Sequence, residues 1–74
     1  MAAPYPPHPH LADAVTAEVA RLRDGAPVAT LTRRGVVTLF GVAGSEMRRI
    51  AIDQGVSRLP GVVNVRIYLQ VARP

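Results

Sequence analysis

The chain has 74 residues, no cysteine, and a formal net charge of +4 in which every basic residue is arginine. This length provides one small domain with a modest core, and the missing cysteines exclude disulfides, a cysteine nucleophile and thiolate metal sites. The basic balance favours anionic partners in general. Because no secretory signal and no run of ~20 apolar residues is present, the sequence predicts a cytoplasmic protein without a transmembrane segment, for which peripheral membrane contact stays open.

Residues 1–10 are predicted to form a flexible tail, because the four prolines within them remove backbone donors and favour an extended conformation. His8 and His10 are the only histidines of the chain. A mobile pair of imidazoles lacks the further ligands that a zinc site needs. Tyr5 could anchor a partner that orders the tail. The sequence therefore predicts no metal site and no cofactor.

A first helix and a first strand follow the tail. Apolar residues recur every three or four positions and form a helical stripe of Leu11, Val15, Val19 and Leu22. Asp24 and Gly25 are a reasonable end for this helix. The pattern from Pro27 to Thr32 is typical of a strand, which we expect to pair antiparallel with the next one through a turn at Thr32–Gly35.

The stretch from Arg33 to Gly44 organises the chain because it combines a turn, a strand and the entry to a helix. Gly35 is expected to take the positive φ of a tight hairpin turn. The short run that follows it is rich in β-branched residues, and it predicts the central strand, with alternate side chains facing inward. Ser45 is a candidate N-cap for a second helix that begins at Glu46.

The second helix is predicted to end near Leu59, before the helix-breaking Pro60. Gly55 weakens this helix, and we expect it to allow close approach of a neighbouring element. Strict alternation from Val63 to Val71 predicts the last strand. A right-handed crossover would place it parallel to the central strand. These elements predict an α+β fold, a small α-β-β-α-β sandwich in which two helices cover one face of a mixed three-stranded sheet.

The motifs between Leu11 and Val71 resemble the BON domain, a small bacterial module often found in envelope and stress-response proteins. The match is carried by a G-V-V-T-L-x-G strand at residues 35–41, by Ser45, Arg48, Arg49 and Ala51, and by L-P-G-V at residues 59–62 followed by Val65. The resemblance implies a single domain over residues 11–72 and a non-enzymatic role, the binding of phospholipid surfaces or of other proteins. Family members are commonly exported or occur in tandem, whereas this chain holds one copy.

Phe40 departs from the family pattern, which usually has a small or polar residue at this strand position. Its parity is opposite to that of Val37 and Leu39, so its side chain is expected on the helix-free face of the sheet. Tyr68 has the same outward parity on the last strand. If these strands are neighbours, the two rings share one exposed surface, and such apolar patches usually mark interaction sites. The candidate protein interface consists of Phe40, Tyr68, Thr38 and Arg66.

The arginines offer a competing site. Arg33 and Arg34 are placed at the hairpin tip, and Arg48 and Arg49 in the first turn of the second helix, where free backbone N–H groups favour anions. With Ser45, these arginines at one end of the domain are the candidate residues for an anion or a phospholipid headgroup.

The sequence does not favour catalysis or nucleic-acid binding. Ser45 and Ser57 have no histidine nearby to activate them, and the five carboxylates form no evident pair. Apart from charge, only the hypothetical Phe40–Tyr68 pair would favour nucleic acid. The sequence therefore predicts a non-enzymatic binding or assembly module that contacts another protein or itself through the open sheet face. The alternative is an anionic membrane surface held by the arginines.

Overall fold

A computed structural model describes residues 10–72, which form two helices and one three-stranded sheet. The elements are α1 (Leu11–Leu22), β1 (Val28–Arg33), β2 (Val36–Ala43), α2 (Glu46–Ser57) and β3 (Asn64–Val71). The predicted α+β fold and the α-β-β-α-β order are confirmed. The tail was predicted for residues 1–10; residues 1–9, with Tyr5 and His8, lie outside the described residues. His10 is the N-cap of α1, and its carbonyl oxygen accepts the Ala14 N–H at 3.0 Å.

The sheet has the order β1-β2-β3, so the central strand of the sequence is also the central strand of the sheet. β1 pairs antiparallel with β2, and β3 pairs parallel with it, with Leu39 opposite both Thr30 and Ile67. The predicted hairpin and the predicted parallel pair are both confirmed. β1 and β3 are the two edge strands.

The core lies between the helices and the inner face of the sheet. The helical stripe predicted for α1 supplies Leu11, Val15 and Val19, and α2 supplies Ile52 and Val56. Val37 and Leu39 from β2 pack against them and are inaccessible to solvent. Burying a side chain of this size contributes about 1.5–3 kcal/mol. The fold thus depends on a small apolar cluster whose strand members alternate with outward-facing residues.

Two local predictions at the ends of β2 are confirmed. Gly35 has φ +81° and Arg34 has φ +53°, which identifies a two-residue hairpin turn of the type that matches strand twist. At the other end, Ser45 caps α2, because its side chain accepts a hydrogen bond from the Arg48 N–H at 3.1 Å. One expectation is wrong in detail: Arg33 is the last residue of β1, paired with Val36, and is not part of the turn.

Gly55 allows the close approach between helices that its position predicted. A Cβ atom at this residue would collide with the Leu22 Cδ1 atom and approach the Glu18 carboxylate to 2.8 Å. The ends of the Leu22 and Glu18 side chains therefore fill the space in front of Gly55, where α1 contacts α2. The second helix is shorter than expected, since it ends at Ser57 and the chain turns before Leu59.

Candidate binding surface

The face of the sheet opposite the helices, which we call the open face, carries the candidate interface. The strand register aligns its side chains in rows. One row consists of Ala29, Phe40 and Tyr68, and the next of Leu31, Thr38 and Arg66. The four residues predicted for the protein interface therefore lie together, two in each row.

Phe40 and Tyr68 stack on each other at the middle of the open face. Their ring centroids are 5.6 Å apart and the ring planes differ by 15°. Phe40 is 44% exposed and Tyr68 is 59% exposed, so the pair stands in solvent although its rings contact each other. Offset stacking contributes about 0.5–1.5 kcal/mol beyond area burial. The prediction that the two rings share an exposed surface is confirmed.

Two more residues of the open face were not among the predicted interface residues. Leu31 is 57% exposed and lies opposite Thr38, beside the aromatic row. Arg33 is exposed at the end of β1, in a row with Val36. The signal that identifies them is the parity of β1, because Leu31 and Arg33 alternate with Thr30 and therefore face outward.

At the start of α2, each side chain of the predicted anion site makes a contact within the protein. The Arg48 Nη1 donates a hydrogen bond to the Leu22 carbonyl oxygen at 2.8 Å, which joins α2 to the last turn of α1. Arg49 forms an ion pair with Glu46. The hydrogen bond from Arg49 lowers the pKa of the Glu46 carboxyl and raises that of the Arg49 guanidinium. The Ser45 hydroxyl already accepts the Arg48 N–H.

The sequence predicts both arginine pairs at one end of the domain, but in the structure they lie at different ends. Arg33 and Arg34 precede β2, whereas Arg48 and Arg49 follow it, and β2 is eight residues long. A strand rises about 3.3 Å per residue, so the pairs are separated by the length of the strand, roughly 23 Å. A single small headgroup cannot contact both pairs.

Charge is distributed unevenly between the two sides of the domain. All five acidic side chains of the chain lie on the helices or in the loop after α1: Asp13, Glu18, Asp24, Glu46 and Asp53. Four arginines lie there as well, Arg21, Arg23, Arg48 and Arg49, and Arg58 directly follows α2. Among residues 10–72 this leaves Arg33, Arg34 and Arg66, all on the open face or at its hairpin tip. The excess positive charge of the described domain is therefore located there.

The described part of the chain offers no group of three or more His, Asp or Glu side chains that could hold a metal ion. Within the same residues, no helix has the length and apolar character required to cross a membrane.

A depression of about 390 Å³ between α1 and β1 is lined mainly by apolar groups and by Arg23.

No known family model and no curated protein matches the chain. The resemblance to the BON domain therefore stays a prediction from the quoted motifs.

Proposed function

We propose that this chain is a non-enzymatic binding and assembly module that contacts a second protein surface, including that of another copy, through its open face. The observation that carries the proposal is the stacked Phe40–Tyr68 pair, exposed on the sheet face opposite the two described helices. Together with Leu31 it forms an apolar centre on a small basic domain. Such a patch costs free energy while it faces water, and a docking surface removes it from water.

The composition of the open face supports a protein partner. The fully buried centres of protein interfaces are enriched in aromatic residues and arginine and depleted in acidic residues. Here Arg66 lies in the row next to the aromatic row and Arg33 in the row after that, and no acidic residue lies on the face. Side chains of this kind, Tyr and Arg above all, contribute most of the binding free energy in interfaces.

The arrangement of charges allows two open faces to pack on each other in one orientation. The arginines lie towards the hairpin end of the sheet, whereas Val42 and Gln70 form the row at the other end. If the strands of two copies run in opposite directions, each arginine end faces the uncharged end of the other copy. If they run in the same direction, the arginines oppose one another, which is unfavourable.

The proposal is tested by the solution mass at low and high salt, for the wild type and for Phe40→Ser. We expect a salt-resistant oligomer in the wild type and a smaller species in Phe40→Ser, because apolar association survives screening. Met47→Ser is the matched control, since Met47 is 82% exposed but lies on α2. Equal masses for all three proteins would refute self-association through the open face.

A second candidate, the binding of anionic phospholipid surfaces, is supported by the uncompensated arginines. The residues that support it are Arg33, Arg34 and Arg66, and not the pair at the start of α2. Each arginine near an anionic surface contributes about 1 kcal/mol, so replacing Arg33 and Arg66 together by Gln should weaken binding about 30-fold. Cosedimentation with phosphatidylglycerol vesicles measures this, and phosphatidylcholine vesicles and Arg49→Gln are the controls. Binding that resists high salt, or that the double variant retains, would refute this candidate.

A further inference from the structure

The free edge of β3 presents backbone groups that no described residue pairs. Ala72 donates its N–H to the Ala43 carbonyl at 2.8 Å, and Asn64 turns its N–H towards Gly35, so the even-numbered residues of β3 face β2. Because a strand alternates, the odd-numbered residues present their N–H and C=O groups to the outside. Of these, Val65 already donates its N–H to the Asn64 side chain at 3.0 Å. Within residues 10–72, the amides of Ile67, Leu69 and Val71 have no hydrogen-bond partner.

The side chains of this edge are also incompletely covered. Val65, Ile67 and Val71 have the inward parity of β3 but are only half-buried. Their counterparts on the central strand, Val37 and Leu39, are inaccessible to solvent. The edge is eight residues long, contains no proline and carries one charge, that of Arg66. Native edge strands are usually protected by shortness, by proline or by several charges.

We propose that a second copy of this chain pairs with β3, antiparallel, about a twofold axis at Tyr68. The unpaired N–H and C=O groups specify an extended backbone as the occupant. The side chains of β3 are compatible with a second β3 as the partner, because pairing about a twofold axis at Tyr68 places no like charges opposite each other. The opposed pairs are Tyr68 with the partner's Tyr68, Arg66 with the partner's Gln70, and Ile67 with the partner's Leu69.

This pairing joins two three-stranded sheets into one sheet of six strands with a continuous open face. Phe40 and Tyr68 of one copy would continue into the partner's Tyr68 and Phe40 in a single row, so the docking surface doubles without any new contact on the face itself. The inference rests on the proposed function only in this respect, that the joined face serves docking. The pairing itself can be tested independently, because it uses the edge and not the face.

Cysteine crosslinking tests the pairing, since the natural chain has no cysteine to interfere. Arg66→Cys and Gln70→Cys are prepared separately and then mixed under mild oxidation, and the disulfide-linked dimer is measured on a non-reducing gel. The opposed Cβ atoms of an antiparallel pair lie close to the separation that a disulfide requires. Both variants are prepared in the wild type and in Phe40→Ser, where association through the open face is removed.

We expect the mixture to crosslink on the order of 100-fold faster than either variant alone at micromolar concentration. The reason is that a paired thiol has a millimolar effective concentration. The same rate in the Phe40→Ser background would assign the contact to the edge even if face-to-face association fails. Met47→Cys, which is exposed on α2 and belongs neither to the β3 edge nor to the open face, is the control and should crosslink at the slow rate. A mixture that crosslinks no faster than Arg66→Cys alone would overturn the proposal, because the β3 edge would then not pair with a second copy of the chain.

Discussion

Leu39 and Phe40 are adjacent in sequence but point to opposite faces of the same strand, so replacing each by alanine should have very different effects on stability. Leu39 is inaccessible to solvent and lies in the core cluster, whereas Phe40 is 44% exposed and contacts Tyr68. Leu→Ala in a core costs about 2–5 kcal/mol. Phe40→Ala removes the stacking on Tyr68 and part of the buried area of the ring, which should lower the free energy of unfolding by about 1–2 kcal/mol.

The total free energy of unfolding sets the scale of this contrast. A chain of this length is expected to have about 4–11 kcal/mol. Leu39→Ala should therefore lose a large share of the free energy of unfolding, whereas Phe40→Ala should lose a small share and remain folded at ordinary temperature. Urea unfolding followed by far-UV circular dichroism measures both, at a chain concentration low enough that association does not add to stability. If Phe40→Ala lost as much free energy of unfolding as Leu39→Ala, Phe40 could not belong to an open face.

Three further predictions concern residues outside the aromatic pair: Arg48, Gly35 and Glu46. Arg48→Ala should lower the free energy of unfolding by about 1.5–3 kcal/mol, because it removes the charged donor to the Leu22 carbonyl. Arg49→Ala, whose ion pair is exposed, should stay near the wild type in the same urea titration. Gly35→Ala should cost about 2–4 kcal/mol, since its φ is +81° and a Cβ would lie 2.7 Å from the Gly61 carbonyl oxygen. Gly25→Ala, with φ +98° and open space, should cost less in the same unfolding assay, and an equal loss would contradict the steric explanation. Because Arg49 depresses the pKa of Glu46, this carboxylate stabilises the fold above its ordinary pKa, and that contribution is lost as pH falls through the folded pKa. Because the pair is exposed, Glu46→Gln should melt only slightly below the wild type at neutral pH, and the two melting temperatures should converge on acidification; a difference that persists at low pH would contradict this.

The architecture could be predicted from the sequence because each element has its own local signal. The period of the α1 stripe, the alternation of β3 and the glycine at the hairpin turn each identify an element without reference to the others. The pairing of Phe40 with Tyr68 needed two steps, outward parity on each strand and a parallel β2–β3 pair, and both are confirmed.

The surroundings of the candidate anion site could not be predicted in this way, because they depend on contacts between distant residues. The Arg48 guanidinium donates a hydrogen bond to the carbonyl oxygen of Leu22, which lies 26 residues away in the sequence, and no local pattern reveals this contact. The separation of the two arginine pairs could have been deduced, since a hairpin tip and a helix start at opposite ends of one strand lie at opposite ends of the sheet. Leu31 was missed for another reason, because the alternation of β1 does not show which of its faces is outward, and the position of Leu31 near Phe40 requires the register with β2.

The most direct test of the open face as an assembly surface is the solution mass of the wild type and of Phe40→Ser, measured by light scattering at low and high salt. The proposal predicts a wild-type mass above that of one chain at both salt concentrations and a smaller mass for Phe40→Ser, while Met47→Ser behaves as the wild type. A wild type with the mass of a single chain in every buffer, or a Phe40→Ser mass equal to that of the wild type, would contradict it.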